Sequence, residues 1–420
     1  MAERIIYQAF TRNWGTGKFS CWDGAAFRYL RSLGVTHLWL TGIPAHASGE
    51  DFVKGNPGSP YAVEDWYDTN PYLADKPERR MKEFEAMVSR AHRKGIKIIT
   101  DFIPNHVARS YKGDIPRHDW CDYDWTDTLK VDYYANGCWD KMLDVLLFWA
   151  SKGVDGVRCD MVELVPPEFF AWATAKVREK HPDFLFIGEV YKRDNYNRYC
   201  KELGFDLIYD KSGLYDSLRA ILLLPASTKN ITWNWQRLGD LQPQMLNFLE
   251  NHDEQRIASS AFLSDAMKAI PGMAVAALFN NASLLIYGGQ EIGEDAREDE
   301  GGRSSIFDWT RKTDPLGKLD DAQKRILEEY RRLLDLSRTK PFCGGANWDL
   351  CYCNYDSPGF NADRHFAFLR FDGKHSSVVA CNFTDERAVL KIRIPEEAGI
   401  GASIQDIEVD PWNYSVKKIK

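Results

Sequence analysis

From Arg4 to about Ser337 the sequence switches between two hydrophobic periods, and it completes the cycle eight times. Short apolar runs of strand length stand at 5–10, 37–41, 97–102, 156–160, 184–189, 205–209, 244–249 and 283–287. Between them apolar residues recur three or four apart, as in Met81, Phe84, Val88 and Ala91 or Met142, Leu146 and Trp149, which places them on one face of a helix. Gly95 and Gly153 each follow such a stretch just before the next strand, where a left-handed residue can end a helix. This alternation predicts a parallel sheet with helical crossovers. Eight units in one run predict that the sheet closes into a (β/α)8 TIM barrel, whose chemistry lies on loops at the C-terminal ends of the strands. An open doubly wound sheet is the alternative, but no G-x-G-x-x-G follows the first strand.

The spacing is uneven in one place. More than thirty residues separate the third strand from the helix that opens near Trp139, and they include Tyr111, Trp120, Tyr123, Trp125, Tyr133 and Tyr134. A connection that long reads as a short lobe inserted over the barrel mouth. After a helix over 320–337 the pattern becomes strand-like, with alternating runs at 365–371, 377–382 and 388–394 broken by Asp372-Gly373 and Pro395, which predicts a C-terminal antiparallel β-sandwich domain. The expected division is a barrel from 1–106 and 135–340, a lobe at 107–134 and the C-terminal domain at 341–420.

With 420 residues, 44% hydrophobic and 27% charged, the chain can bury a large core. A net charge of -7 without a Lys/Arg-rich run argues against nucleic acid or an anionic membrane surface as partner, and favours a neutral or cationic ligand. No apolar run is long enough for a secretory signal or a membrane span, so the chain reads as cytoplasmic, although removal of an export signal would leave a similar start. Nine cysteines, with Cys351 and Cys353 lacking C-x-x-C spacing, read as free thiols.

Four strand runs end in polar clusters: Asp101-Phe102-Ile103-Pro104-Asn105-His106, Arg158-Cys159-Asp160, Gly188-Glu189 and Glu250-Asn251-His252-Asp253-Glu254. In a barrel these ends share one mouth. Arg158 and Asp160 are two apart, on one face of a strand, and a single R-x-D is ordinarily a structural ion pair. Three carboxylates and two histidines gathered at one opening are costly as stability devices, because like charges repel, and they point instead to a catalytic site. Glycosidic bond cleavage needs one ionised carboxylate and one carboxylic acid kept protonated by apolar surroundings. Asp160, with its arginine, suits the first; Glu189, emerging from Phe186 and Ile187, suits the second.

These four segments resemble the signature regions of the α-amylase family, glycoside hydrolase family 13. The resemblance extends to Gly58-Ser59-Pro60-Tyr61, similar to the family's G-x-x-Y stretch, and to Leu285–Glu291 at the eighth strand. It implies that Asp160 is the nucleophile, Glu189 the acid/base and Asp253 the transition-state stabiliser, with His106, Arg158 and His252 lining the same sugar subsite and Tyr61 as its stacking platform. It implies retention of anomeric configuration, with the Asp160 and Glu189 carboxyls roughly 5–5.5 Å apart. The match is incomplete. Glu163 and Leu164 stand where calcium-binding members commonly carry Lys-His, and residues 128–133 resemble the fifth region only loosely. No cofactor is required by this reading; Asn105 matches a calcium ligand of the family, but the short lobe leaves few others. Trp120 and Trp125 fit sugar stacking or lobe packing equally, Asp101 fits a buried structural acid, and Glu291 and the charge run at 295–303 fit either a border of the cleft or, better, a solvated loop.

The expected activity is hydrolysis of α-1,4-linked glucose polymers or maltooligosaccharides by double displacement. A glucanotransferase would pass the same intermediate to another sugar, and a non-catalytic glycan-binding barrel would have lost the acids that are all present here.

Overall fold

The computed structural model describes residues 4–48, 53–55, 58–296 and 301–420. Eight parallel strands close into a barrel: β1 (Ile5–Phe10), β2 (His37–Thr41), β3 (Lys97–Phe102), β4 (Gly156–Cys159), β5 (Leu185–Gly188), β6 (Leu207–Tyr209), β7 (Met245–Asn247) and β8 (Ser283–Tyr287). Each pairs with its sequence neighbours, and β8 pairs with β1. All eight lie within the runs read from the sequence; β4 to β7 are shorter than those runs. Asp160 and Glu189 fall one residue past the end of β4 and β5. Their backbones are still tied to the neighbouring strand, Asp160 N to Phe102 O at 2.9 Å and Glu189 N to Cys159 O at 3.1 Å. Their side chains thus stand on the rim with the rigidity of a sheet behind them.

Alternation along the strands sets what fills the barrel. Ile6, Trp39, Ile99, Leu185, Ile187, Leu207, Tyr209, Leu246, Phe248 and Leu285 form one buried cluster inside it. Their neighbours Tyr7, Leu38, Leu40, Ile98 and Val157 belong to the outer core under the helices. Burying each large apolar side chain contributes about 1.5–3 kcal/mol. Two residues further along the same inward columns the character changes: Ile6 is followed by Gln8, Ile99 by Asp101 and Ile187 by Glu189. The barrel is therefore apolar at its base and polar at its C-terminal mouth.

The helices follow the periodicity. Arg80–Arg93 buries Phe84, Met87, Val88 and Ala91, and Cys138–Ser151 buries Met142, Val145, Leu146 and Trp149. Gly95 and Gly153 adopt φ of 68° and 88°, the left-handed conformation that ends these helices. The lobe is built on a two-stranded antiparallel pair, His106–Ala108 with Thr128–Lys130. A second small pair, Pro44–His46 with Val63–Thr69, flanks the mouth and was not apparent in the sequence.

Helix Asp321–Ser337 opens with a capping box between Asp320 and Gln323. Beyond it lie β9 (Ala346–Asp349), β10 (His365–Phe371), β11 (Ser376–Asn382), β12 (Ala388–Ile394), β13 (Ser403–Val409) and β14 (Asn413–Lys418). They form a four-stranded antiparallel sheet, β9-β10-β11-β14, and a two-stranded one, β12-β13. Arg370, completely buried, joins this sheet to the barrel side by donating to the carbonyls of Leu278 at 3.0 Å and Phe342 at 2.6 Å. All nine cysteines are unpaired. Among the described residues no helix is long and apolar enough to cross a membrane.

Candidate active site

Arg158 is the centre of the barrel mouth. Its side chain is fully buried, and four carboxyl groups surround the guanidinium. Nη1 donates to Asp160 Oδ1 at 2.5 Å and lies 3.6 Å from Asp101. Nη2 lies 2.7 Å from Glu189 Oε1, as an ion contact out of hydrogen-bond alignment, and 4.0 Å from Asp253. Nε donates to the Tyr209 hydroxyl at 3.1 Å. One cation among four acids cannot keep all of them ionised, so their proton affinities must separate.

Burial is the largest influence on each acid and raises its pKa, with Arg158 pulling the other way. Glu189 is pushed up to about 7 by burial, opposed by Arg158 and reinforced by the charges of Asp160 and Asp253. Asp160 is also raised by burial, but Arg158 and a side-chain hydrogen bond from Glu189 hold it down. The arginine therefore moderates the nucleophile candidate's rise; it does not hold that residue below its ordinary value. Asp101, pushed up to about 7 by burial, accepts from Trp39 Nε1 at 3.2 Å and sits beneath the site as the structural acid expected from the sequence.

Glu189 is gripped on both oxygens. Its Oε2 accepts from Met161 N at 2.7 Å and its Oε1 from the Tyr191 hydroxyl at 3.0 Å. Met161 has φ of 43°, a left-handed conformation that costs a non-glycine residue on the order of 1–3 kcal/mol and turns its N–H toward the acid. Asp253 is held by an Asx turn: Asn251 Oδ1 accepts from the Asp253 and Glu254 amides, each at 2.9 Å. Its side chain remains 38% exposed and lines the cavity.

The histidines are neutral hydrogen-bonding groups. Burial, with help from Arg158, pushes His252 well below its ordinary pKa. Gln8 Nε2 lies 2.7 Å from His252 Nδ1, and the Tyr61 hydroxyl bonds to Nε2. With the Gln8 amide donating, the proton sits on Nε2. The Tyr61 and His252 rings stack at 5.4 Å and 6°. Burial brings His106 down to about 4; its ring packs against Trp125 at 5.2 Å.

A cavity of about 310 Å³ opens above these groups. Tyr61, His106, Asp160, Glu189, His252 and Asp253 all line it, and Arg158 lies directly under it. The structure thus brings together Asp160, Glu189, Asp253, Tyr61, His106, Arg158 and His252, the residues that the signature segments single out. It adds Met161 and Tyr191, Trp125, Asp127 and Thr128 from the lobe, and Ile306 and Phe307 from the loop after β8. Gln8 was detectable in principle as a polar residue inside an apolar strand, whereas Tyr191, an aromatic two residues beyond Glu189, broke no pattern. Ile306 and Phe307 gave no periodic signal.

Two sequence expectations need correction, and the two alternatives for the lobe tryptophans divide between them. Trp125 reaches the cavity, whereas Trp120 stacks on His118 at 4.9 Å. Glu291 is completely buried and accepts from the Tyr7 and Tyr29 hydroxyls at 2.8 and 2.7 Å, so it is neither solvated nor part of the cleft. In the charge run at 295–303, Arg303 donates to Asp253 O at 2.9 Å, while residues 297–300 lie outside the described residues. Asn105 does not fit a calcium site. Its Oδ1 accepts from Lys130 Nζ at 3.0 Å, its Nδ2 donates to Asp122 Oδ2 at 2.8 Å, and Lys130 closes the triangle with Asp122 at 2.7 Å. An ammonium already balances the one carboxylate, and calcium needs six to eight oxygen ligands. Among the described residues no group of three or more His, Cys, Asp or Glu could hold a metal ion.

Known proteins resemble the chain over most of its length. The family model described as the alpha amylase catalytic domain matches residues 22–134 and 121–339. Neopullulanase 2 of Thermoactinomyces vulgaris is 26% identical over 411 residues, covering 88% of this chain and 63% of that protein. An alpha-amylase of Haloarcula japonica is 25% identical over 418 residues, covering 91% of this chain and 56% of that protein. The chain therefore spans about three-fifths of the length of these relatives. The solved structure of an alpha-amylase from Lactobacillus plantarum superposes with a TM-score of 0.76 at 22% identity, covering 99% of both chains.

Proposed function

The chain belongs to the alpha-amylase family, and from that premise we propose that it is a retaining glycosidase that cleaves α-1,4-linked glucose polymers or maltooligosaccharides by double displacement. The observation that carries the reading is the convergence of Asp160, Glu189 and Asp253 on one buried guanidinium at the floor of a single cavity. The surroundings divide the labour: burial pushes Glu189 up to about 7, which suits it to carry a proton, while Arg158 and a hydrogen bond from Glu189 restrain the rise of Asp160.

In the first step an Asp160 oxygen attacks the anomeric carbon, the glycosidic C–O bond breaks, and the Glu189 proton passes to the leaving oxygen. Asp160 is then esterified to the sugar and Glu189 is ionised. In the second step Glu189 takes a proton from water, the water oxygen attacks the anomeric carbon, and the ester bond breaks to restore Asp160. Two inversions give net retention. Asp253, exposed toward the cavity, accepts hydrogen bonds from the reacting sugar, and neutral His106 and His252 offer further polar contacts without adding charge. Arg158 balances the acids beneath, and Tyr61 presents its ring in the wall. Acid/base assistance of this kind contributes about 10²–10⁴-fold.

Incubation with maltoheptaose, with the sugars separated over time and the first product followed by proton NMR, tests the proposal. The expected result is shortened chains released as the α-anomer, with turnover abolished in Asp160→Asn. A β-anomer, or wild-type rates in that variant, overturns it. Chains longer than seven units would assign the intermediate to sugar acceptors, the glucanotransferase outcome.

A further inference from the structure

We propose that Tyr191 is the positioning residue for the acid/base, its hydroxyl serving as the reversible hydrogen-bond partner of Glu189 and Glu163 holding it in place. The inference rests on the double-displacement reading and adds to it a residue that the family signature segments leave out.

Glu189 must be a carboxylic acid in the first step and a carboxylate in the second. The groups touching it are not equally suited to both states. Arg158 and the Met161 N–H can only donate, so they favour the ionised form throughout. Asp160 can share the Glu189 proton before the reaction, but as a glycosyl ester it carries no charge to attract one. Tyr191 Oη, 3.0 Å from Oε1, is a hydroxyl whose hydrogen can rotate. It accepts from the acid, donates to the carboxylate, and keeps Oε1 in one position while the charge changes. No bond is broken or formed to Tyr191, and it remains a phenol: burial, with the Glu189 charge second, raises its pKa.

The hydroxyl can do this only if the residue is fixed, and the surrounding structure fixes it. Glu163 Oε2 accepts from the Tyr191 amide at 2.9 Å and from the Lys192 amide at 3.2 Å, and its other oxygen accepts from the Asn195 side chain. Ser212 Oγ donates to the Tyr191 carbonyl at 2.7 Å. Both backbone polar groups of Tyr191 are thereby committed, one to a carboxylate and one to a hydroxyl. Glu163 stands at one of the two positions where the sequence departs from the calcium-type pattern. In this chain that departure supports the loop carrying Tyr191.

The sign of the test follows from bond strength. A hydrogen bond to a carboxylate is roughly twice as strong as one between neutral groups, so the hydroxyl stabilises ionised Glu189 more than protonated Glu189. Tyr191→Phe keeps the ring and removes only that bond. The expected result is a shift of the alkaline limb of kcat/KM on maltoheptaose to higher pH by about half to one unit, with kcat falling more than KM changes. Glu163→Ala should move the limb in the same direction by less, and the double variant no further than Tyr191→Phe alone. An alkaline limb unmoved by Tyr191→Phe overturns the inference while leaving the double-displacement reading intact, since a ring needed only for packing or stacking would change KM and not the titration. Wild-type turnover in Asp160→Asn would overturn that reading, and the inference with it.

Discussion

Glu189 shows how a single residue acquires its proton affinity from its surroundings. A glutamate in an unfolded chain titrates near 4.3; burial raises this one to about 7. Between those values the folded chain holds a proton that the unfolded chain has lost, so stability falls as pH rises through the interval. The residue's contribution is complete below about pH 4 and gone above about pH 7. Glu189→Gln removes the titration but keeps an amide oxygen to accept from Met161. The variant should gain on the wild type as pH rises from 5 to 8, by up to about 1.4 kcal/mol for each unit crossed below 7. Urea midpoints at the two pH values check this; a variant-to-wild-type difference that does not change with pH contradicts it. The same residue explains why the site was legible in the sequence. An acid that stops the apolar run Phe184–Ile187 breaks a strong pattern, as do Asp160 after Val157 and His252-Asp253 after Leu249. Tyr191 breaks no pattern, because an aromatic residue past a strand end is unremarkable until its hydroxyl is seen against Glu189.

Elements were legible in proportion to how strictly they repeat. The eight barrel strands alternate inward and outward between two apolar layers, so their runs stand out even when β6 and β7 contain three paired residues each. Strands β13 and β14 were missed because Ser403–Val409 and Asn413–Lys418 bury few of their side chains. The pair framing the mouth, 44–46 with 63–69, is too short and too bulged to carry a period. In the lobe, order comes from polar fastening more than from a repeat. Lys130 ties the second lobe strand to Asn105 on the barrel side and to Asp122 within the lobe. Burial opposes the Asp122 charge, yet hydrogen bonds from Lys130 and Asn105 keep its pKa below the ordinary value. Lys130→Met would leave that carboxylate without its counter-charge, a loss of about 1–3 kcal/mol. The lobe should then be cleaved faster by limited proteolysis between residues 109 and 127, with activity lost in parallel because Trp125, Asp127 and Thr128 wall the cavity. Chelator should leave the wild-type cleavage rate unchanged. Chelator-sensitive cleavage of the wild type, or a Lys130→Met lobe as resistant as the parent, would show that the ammonium does not fasten it.

At the scale of the whole molecule, two sets of buried groups pull the pH dependence in opposite directions. His37 and His46 are pushed down to about 3 and His106 to about 4, in every case chiefly by burial, and His252 is lowered further. Each is neutral in the fold but binds a proton in the unfolded chain below about pH 6.5, so the stability they contribute is intact above that value and is lost as pH falls toward 4. Asp101 and Glu189 act in the opposite sense, their contribution being lost as pH rises toward 7. Asp210, raised to about 6, joins these acids and His365, lowered to about 4, joins the histidines, so five imidazoles face three acids of comparable shift, each imidazole contributing a slope of up to about 1.4 kcal/mol per unit on the acid side. Urea midpoints measured from pH 4 to 8 should therefore fall steeply below about 6.5 and change little above it. His46 offers the cleanest check, because it lies away from the acids: Nδ1 bonds to Pro44 O at 2.6 Å and Nε2 to the Asn70 amide at 2.7 Å. His46→Gln can offer a donor and an acceptor without titrating, so the acid-side slope should become shallower by about one proton's worth. If the midpoint instead rose between pH 6.5 and 4.5, the raised carboxyl groups would outweigh the buried histidines in the fold's proton balance.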